Sequence, residues 1–370
     1  MFKNIERFSI ELTKYCNFNC VYCHQSHSDE SLSKVGLFDR VDFINNLDIS
    51  SDSSLDICFT GGEVTACNKI LEEYLEYVNY NTKISNKKFT IMSNMSNVTL
   101  ILNLLDRGLI AKDRVGFSWD GINNSVTRCN EFNNEYFVEA LNGIASSRYK
   151  DDIFIQISLH PNCIANLSES VKILKDIGIT NLGTYLITGE KYSHSDVVEY
   201  DKQMEIVSNI FMDSYINDVV KLRFFTFNKC FRDYIIRKDE SIEETTKCKK
   251  LGNAIHIGMN GHLYPCIYFG DHDLFRIGSI SSGLDNIAID RFIEEYSKKP
   301  ECINDCKIKH CLSCPAVCYG IRGGLNNRNN TFCNMFEVEK KWFFRVINYL
   351  KPYITDSALS RYWGRVNEPA

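Results

Sequence analysis

Three cysteines near the start of the chain, Cys16, Cys20 and Cys23, have the residue type and spacing for chemistry. They share one short stretch, Thr13-Lys14-Tyr15-Cys16-Asn17-Phe18-Asn19-Cys20-Val21-Tyr22-Cys23-His24, directly after a strand-like run. Thiolates are soft ligands for iron or zinc. Three of them on one loop suffice for three irons of a cubane and leave the fourth iron open to a substrate. A zinc loop completed by a distant fourth ligand is the alternative. Eight more cysteines lie in the last third: Cys248, Cys266, Cys302, Cys306, Cys311, Cys314, Cys318 and Cys333. Zinc-ribbon-like scaffolding sites are again the alternative to redox metal there. The remaining five, Cys58, Cys67, Cys129, Cys163 and Cys230, read as small buried apolar residues.

The composition favours metal over disulfides. Sixteen cysteines stand in a 370-residue chain whose N-terminus has no apolar core or cleavage site of a secretory signal. The expected compartment is the cytoplasm, where thiols stay reduced. A formal charge of -5 and a pI near 6.0 argue against nucleic acid as an obligatory partner. No run approaches the roughly 20 apolar residues that span a bilayer, so no membrane partner is expected.

The elements that must position the cysteines follow a βα pattern. Strands are expected at Phe8–Thr13, Leu55–Thr60, Phe89–Ser93, Arg114–Ser118, Ile153–Leu159 and Leu182–Ile187, with a further one at Lys221–Phe227. Helical spacing marks Asn68–Asn79, Leu167–Asp176, Ser195–Tyr215 and a closing helix, Glu337–Leu350, with Trp342, Phe343, Val346 and Leu350 on its buried side. Strands alternating with helices predict an α/β fold with a parallel sheet. Beyond Lys247 the regular pattern breaks down, as expected of a small domain organised around metal. The polar tract Asn326–Asn330 reads as an exposed turn.

The first cysteine cluster, with Tyr22 before its last member, resembles the defining motif of the radical S-adenosylmethionine (SAM) superfamily. Thr60-Gly61-Gly62-Glu63 after the second strand resembles the family's GGE element, which implies contact with the amino group of SAM; glycines there let the chain approach the ligand. Val64 stands where proline is common. Ser93-Asn94 ends the third strand, where the family lines the SAM pocket. Ser118-Trp119-Asp120-Gly121, followed by Arg128, is similar to the pattern of the peptide-modifying branch, in which the Ser and Arg contact SAM. The implied fold is a partial (β/α)6 barrel over 1–220, a bridge over 221–247, a cysteine-rich auxiliary domain over 248–350 and a tail over 351–370.

The second cluster, with Gly261-His262-Leu263-Tyr264-Pro265-Cys266, resembles the SPASM extension of these enzymes. That resemblance implies two auxiliary [4Fe-4S] clusters beside the radical SAM cluster, with Cys248, Cys266 and Cys318 on the nearer one and Cys302, Cys306 and Cys333 on the outer one. Cys311 and Cys314 remain unassigned between them, and Cys230 is a reserve ligand. The spacing from Cys302 to Cys314 departs from the usual pattern. Tyr268, Asp271 and His272, just after Cys266, are candidate proton acceptors.

The implied activity is reductive cleavage of SAM to a 5′-deoxyadenosyl radical that abstracts hydrogen from a peptide. Oxidative crosslinking of a ribosomally made precursor peptide is the favoured outcome. A formylglycine-forming sulfatase-type maturase is disfavoured because Ile267 follows Cys266, where that branch has an aspartate base. A small-molecule dehydrogenase and a non-enzymatic Fe–S electron carrier complete the alternatives; the carrier would not need Gly61-Gly62-Glu63 or Ser118 and Arg128. A strand within the first ten residues leads to the expectation of a separate leader-binding protein or recognition at the barrel rim. A flavodoxin- or ferredoxin-type donor would supply electrons.

Overall fold

The computed structural model describes residues 2, 5–23, 25–50, 53–128, 134–187, 190–228, 230, 251–270, 272–298, 314, 316, 319, 325 and 330–353. Two compact units emerge: Met1–Asn19 with Cys23–Gly116 and Cys248–Lys298, and Cys20–Tyr22 with Phe117–Lys247 and Lys299–Ala370.

In the first unit β1 (Arg7–Thr13), β2 (Ser54–Gly61) and β3 (Asn86–Ser93) run parallel, each followed by a helix: α1 (Lys34–Asn46), α2 (Asn68–Asn81) and α3 (Val98–Asp106). Residues of alternating parity point to opposite faces of a strand. Phe8, Ile10, Leu12, Leu55, Ile57, Phe59 and Ile91 are essentially buried, and α2 and α3 bury Leu71, Leu75, Val78, Ile101 and Leu104. The other face is polar. Register places Ser9 beside Cys58, and Cys58 beside Thr90. One register step away, Arg7 pairs with Asp56, whose other oxygen accepts from Thr90 Oγ1 at 2.7 Å. A parallel sheet with one apolar and one polar face suits a barrel that is packed outside and keeps polar groups inside.

α1 and α3 lie outside the helices expected from the sequence. Ser33 caps α1 by accepting from Gly36 N at 3.0 Å, and Asn97 caps α3 by accepting from Leu100 N at 3.1 Å.

A boundary between the units falls at Cys248, and the segment Cys248–Lys298 belongs to the first unit. β8 (Ala254–Ile257) pairs in parallel with β1, so β8, β9 (His262–Tyr264), β10 (Gly278–Ser279) and β11 (Gly283–Leu284) extend the first unit's sheet by antiparallel steps. This segment also has an apolar core, contrary to the expectation of metal organisation alone. Phe269, Phe275 and Phe292 are buried with ring centroids 4.6–6.1 Å apart, and Phe292 belongs to α8 (Asn286–Ser297).

The second unit has the strand order β4 (Val115–Trp119), β5 (Phe154–Leu159), β6 (Asn181–Leu186), β7 (Arg223–Phe224). β5, β6 and β7 pair in parallel, and the chain enters this unit within β4. Its helices are α4 (Asn124–Arg128), α5 (Asn134–Ser146), α6 (Leu167–Asp176), α7 (His194–Asn217) and α9 (Asn330–Leu350). The strand expected at Lys221–Phe227 is only two residues long. The ladder stops because the chain turns helical from Phe225, and the Thr226 hydroxyl in that helix accepts from Thr184 N at 3.0 Å where a strand would offer a backbone carbonyl. α9 begins seven residues before the expected Glu337, since the apolar period of Trp342 and Val346 continues back through Met335 and Phe332. Asn330 is therefore the first residue of a helix, not part of a turn; the rest of the tract lies outside the described residues. No helix among the described residues is long and apolar enough to cross a membrane.

Candidate functional site

The cysteine loop is an excursion from the end of β1 with a closed base. Thr13 bridges Ser31 in antiparallel fashion, Lys14 N donates to Glu30 O at 2.8 Å, and Leu32 N donates to Leu12 O at 2.7 Å. Thr13 Oγ1 also bonds Ser31 Oγ at 2.8 Å. In the first unit Phe18 N lies 3.4 Å from Cys16 Sγ, and Asn94 Nδ2 lies 3.9 Å from the same sulfur while donating to Asn17 Oδ1 at 3.0 Å. Cys23 Sγ is 3.4 Å from His27 Nε2.

Gly61 and Gly62 are required by the loop itself. Gly62 N donates to Thr13 O and Glu63 N to Tyr15 O, both at 2.8 Å, so β2 continues its ladder onto the cysteine loop. Gly61 has φ +137°, and a Cβ there would lie 2.0 Å from Thr13 O. A Cβ on Gly62 would lie 2.1 Å from Tyr15 O. The close approach that these glycines allow here is to the backbone of β1 and the cysteine loop.

Glu63 is 2% exposed. Its Oε1 accepts from Thr65 N at 2.9 Å and Thr65 Oγ1 at 2.6 Å, and its Oε2 accepts from Asn94 N at 2.7 Å. Desolvation pushes this carboxyl above its ordinary range, with the Thr65, Asn94 and Ser93 hydrogen bonds pulling the other way. Ser93 and Asn94 are buried at the end of β3, and the next residue, Met95, has φ 71°. A bulky non-glycine residue in the left-handed region is strained, a condition that clusters at ligand-holding turns.

The second unit holds the middle of the loop and the β4–α4 corner. Ser118 is half-buried on β4; Asp120 and Arg128 are buried and paired, with Nη2 to Oδ1 at 2.9 Å and Nε to Oδ1 at 3.1 Å. Tyr22 Oη reaches both Asp120 oxygens at 2.8 and 2.7 Å, Thr127 Oγ1 donates to Oδ2 at 2.5 Å, and Asn124 Oδ1 accepts from Asp120 N at 2.9 Å. Val21 N donates to Thr127 O at 2.9 Å, and Arg128 Nη1 lies 4.0 Å from Cys20 Sγ. Burial alone would weaken the Arg128 charge, but Asp120, Tyr22 and Cys20 outweigh it and hold the guanidinium above its usual range. Desolvation likewise holds the Tyr22 phenol protonated, against Arg128 and with Asp120. In the sequence Tyr22 stands out only as an aromatic, and nothing local signals Thr127, Asn124 or their partners.

Cys266 begins a 3-10 turn, Ile267–Phe269, with Tyr268 N 3.4 Å from its sulfur. His272 is exposed and packs edge-on to Phe275 at 6.4 Å. Cys333 is in α9, and Cys314 is half-buried. Cys248, Asp271, Cys302, Cys306, Cys311 and Cys318 lie outside the described residues. No disulfide joins the described cysteines, and among the described residues no three His, Cys, Asp or Glu side chains are gathered at metal-ligand spacing. The donor set nonetheless fits an iron–sulfur cluster: three unbridged thiols on one loop, with N–H groups directed at two of the sulfurs.

A model of the radical SAM superfamily matches residues 10–200, more than half of the chain. The chain belongs to the radical SAM superfamily. Membership makes it a radical SAM enzyme and implies SAM and a [4Fe-4S] cluster as cofactors. An uncharacterised protein of Methanocaldococcus jannaschii is 25% identical over 198 residues, covering 52% of this chain and 67% of that one. Among solved structures, anSMEcpe with bound AdoMet shares the fold with a TM-score of 0.72 at 18% identity, covering 96% of this chain and 97% of that chain. Streptococcus suis SuiB bound to precursor peptide SuiA matches with a TM-score of 0.54 at 16% identity, over 80% of this chain and 68% of that chain.

Proposed function

We propose that this radical SAM enzyme holds its cluster on Cys16, Cys20 and Cys23 and removes hydrogen from a peptide, oxidatively crosslinking side chains of a ribosomally made precursor. The observation that carries the reading is the cysteine loop: closed at its base, laddered to Gly62 and Glu63, with N–H groups facing Cys16 and Cys20. When bound, the cluster and SAM together supply an electron and a sulfonium whose cleavage gives a 5′-deoxyadenosyl radical able to take hydrogen from an unreactive C–H bond.

The chain's own residues supply binding and orientation. Glu63 suits the SAM amino group, because a carboxyl raised by desolvation regains stabilisation when a cation arrives beside it. Asn94 ties the Cys16 region to the end of β3 through Asn17. Ser118 and Arg128 are proposed SAM contacts from the β4–α4 corner. Cys248, Cys266, Cys302, Cys306, Cys311, Cys314, Cys318 and Cys333 are proposed to hold two auxiliary [4Fe-4S] clusters. Tyr268, Asp271 and His272 remain the proposed proton acceptors, and a flavodoxin or ferredoxin the proposed donor.

The peptide reading is supported by the fold shared with anSMEcpe, solved with AdoMet and the Cp18Cys peptide, and with SuiB, solved with precursor peptide SuiA. Anaerobically reconstituted, reduced protein should convert SAM to 5′-deoxyadenosine, and a substrate peptide should lose two hydrogens with no atoms added. Absence of 5′-deoxyadenosine refutes the radical reading; turnover with a peptide mass that gains oxygen or loses sulfur refutes crosslinking.

A further inference from the structure

Four ties hold Cys20–Tyr22 to the β4–α4 corner, and Asp120 organises them. Its side chain is fully buried, and that of Arg128 is 5% exposed. A carboxylate offers about four acceptor sites. Here they are filled by Tyr22 Oη, Thr127 Oγ1 and two nitrogens of Arg128. The guanidinium thereby spends Nε and Nη2 on Asp120 and turns its other terminal nitrogen, Nη1, toward Cys20 Sγ at 4.0 Å. Thr127, the residue before Arg128, accepts Val21 N through its carbonyl at 2.9 Å, so the same corner grips the loop by backbone and by side chain.

We propose that Asp120 is a positioning residue that latches Cys20–Tyr22 in place and fixes Arg128 as a positive charge beside the Cys20 sulfur, thereby setting how readily the cluster on this loop accepts an electron. The proposal rests on the assignment of Cys16, Cys20 and Cys23 to the cluster. Reduction adds one negative charge to the cluster, and hydrogen-bond donors and cations near its sulfurs stabilise the reduced form. A guanidinium buried without a counter-ion would be costly, so the charge stays where Asp120 holds it. Asp120 also offsets part of that charge. Removing the carboxylate charge and removing the guanidinium charge must therefore shift the potential in opposite directions, which a purely structural role would not do.

Asp120→Asn preserves shape, and the Tyr22 and Thr127 hydroxyls can donate or accept as the amide requires. The test is a redox titration of the reconstituted full chain without SAM, following the EPR signal that SAM alters in a parallel sample. Asp120→Asn should make reduction easier and Arg128→Gln harder, each by at least tenfold in the one-electron equilibrium, about 59 mV. Arg128→Lys should recover most of the Arg128→Gln loss. Midpoints equal to wild type in Asp120→Asn and Arg128→Gln, or a shift in the same direction in both, overturn the proposal. A wild-type chain with no SAM-sensitive [4Fe-4S] signal instead sinks the cluster assignment beneath it. Should the variants fail to retain iron, hydrogen exchange of the cluster-free full chain decides. The latch requires the Val21 amide to be protected in wild type and released in Tyr22→Phe; an unprotected wild-type amide refutes it.

Discussion

Substituting Gly62 by alanine should damage stability and SAM binding together, by an amount that the geometry sets. The new Cβ would stand 2.1 Å from Tyr15 O and 2.5 Å from Tyr15 C, whereas ordinary contact begins at 3.4 Å. Both contacts are backbone, so no side chain can swing aside, and the two segments must part by about 1.3 Å. The Gly62–Thr13 and Glu63–Tyr15 hydrogen bonds, each 2.8 Å, cannot survive that separation. Two backbone hydrogen bonds contribute about 1 kcal/mol each, and the residual overpacking costs about 1–3 kcal/mol. The expected loss is roughly 3–5 kcal/mol. Glu63 moves with the turn, and a displacement on the order of 1 Å costs about a hundredfold in rate. Gly143 is the control: it lies within α5 with nothing within 4 Å of an added Cβ, and alanine there should stabilise by about 0.4–1 kcal/mol. Urea unfolding of the two variants, calorimetric SAM titration and the rate of 5′-deoxyadenosine formation measure these effects. A Gly62→Ala chain within about 1 kcal/mol of wild type, with undiminished SAM affinity, would refute the argument that the glycines serve the contact with the cysteine loop.

Other outcomes follow from the same structure. Glu63 carries more protons folded than unfolded between its unfolded pKa of about 4.3 and its raised folded value, so its contribution to stability declines as pH rises through that window; in SAM-free protein, Glu63→Gln should flatten this slope, and an unchanged pH profile counts against the burial argument. Tyr200→Phe removes the hydroxyl that donates to buried Glu339 at 3.1 Å and should cost about 1–3 kcal/mol in urea unfolding; a neutral result would mean that the α7–α9 contact is held by packing alone. Arg40 is 2% exposed and donates to Gly36 O, Gly258 O and Met259 O, so Arg40→Met should raise hydrogen exchange at 258–261, the turn between β8 and β9; unaltered exchange there would deny it a clamping role. Replacing Cys16, Cys20 and Cys23 together by alanine should abolish 5′-deoxyadenosine formation while leaving the iron assigned to the second cysteine set, as read by iron analysis.

The strands from Phe8 to Leu186 and the helix Leu167–Asp176 were legible from periodicity, because a period of two or 3.6 reports which side of an element is buried. Periodicity does not report the neighbour. The Lys221–Phe227 run has the residue pattern of a strand, yet the chain turns helical from Phe225, and nothing in the sequence after Cys248 records that β8 pairs with β1.

The cysteine spacing by itself pointed to metal chemistry, with a zinc loop as the alternative to an iron–sulfur cluster, because three thiols on one loop answer to local chain geometry that a few consecutive residues specify. Only the tertiary structure decided why Gly61 and Gly62 are glycines, since the carbonyls they approach belong to the end of β1 and to the cysteine loop after it. It also joined Tyr22 to Asp120 across 98 positions and set the Arg128 nitrogen against Cys20 across 108. Hydrogen bonds of that kind depend on directions fixed by packing within the second unit, and sequence distance carries no record of them.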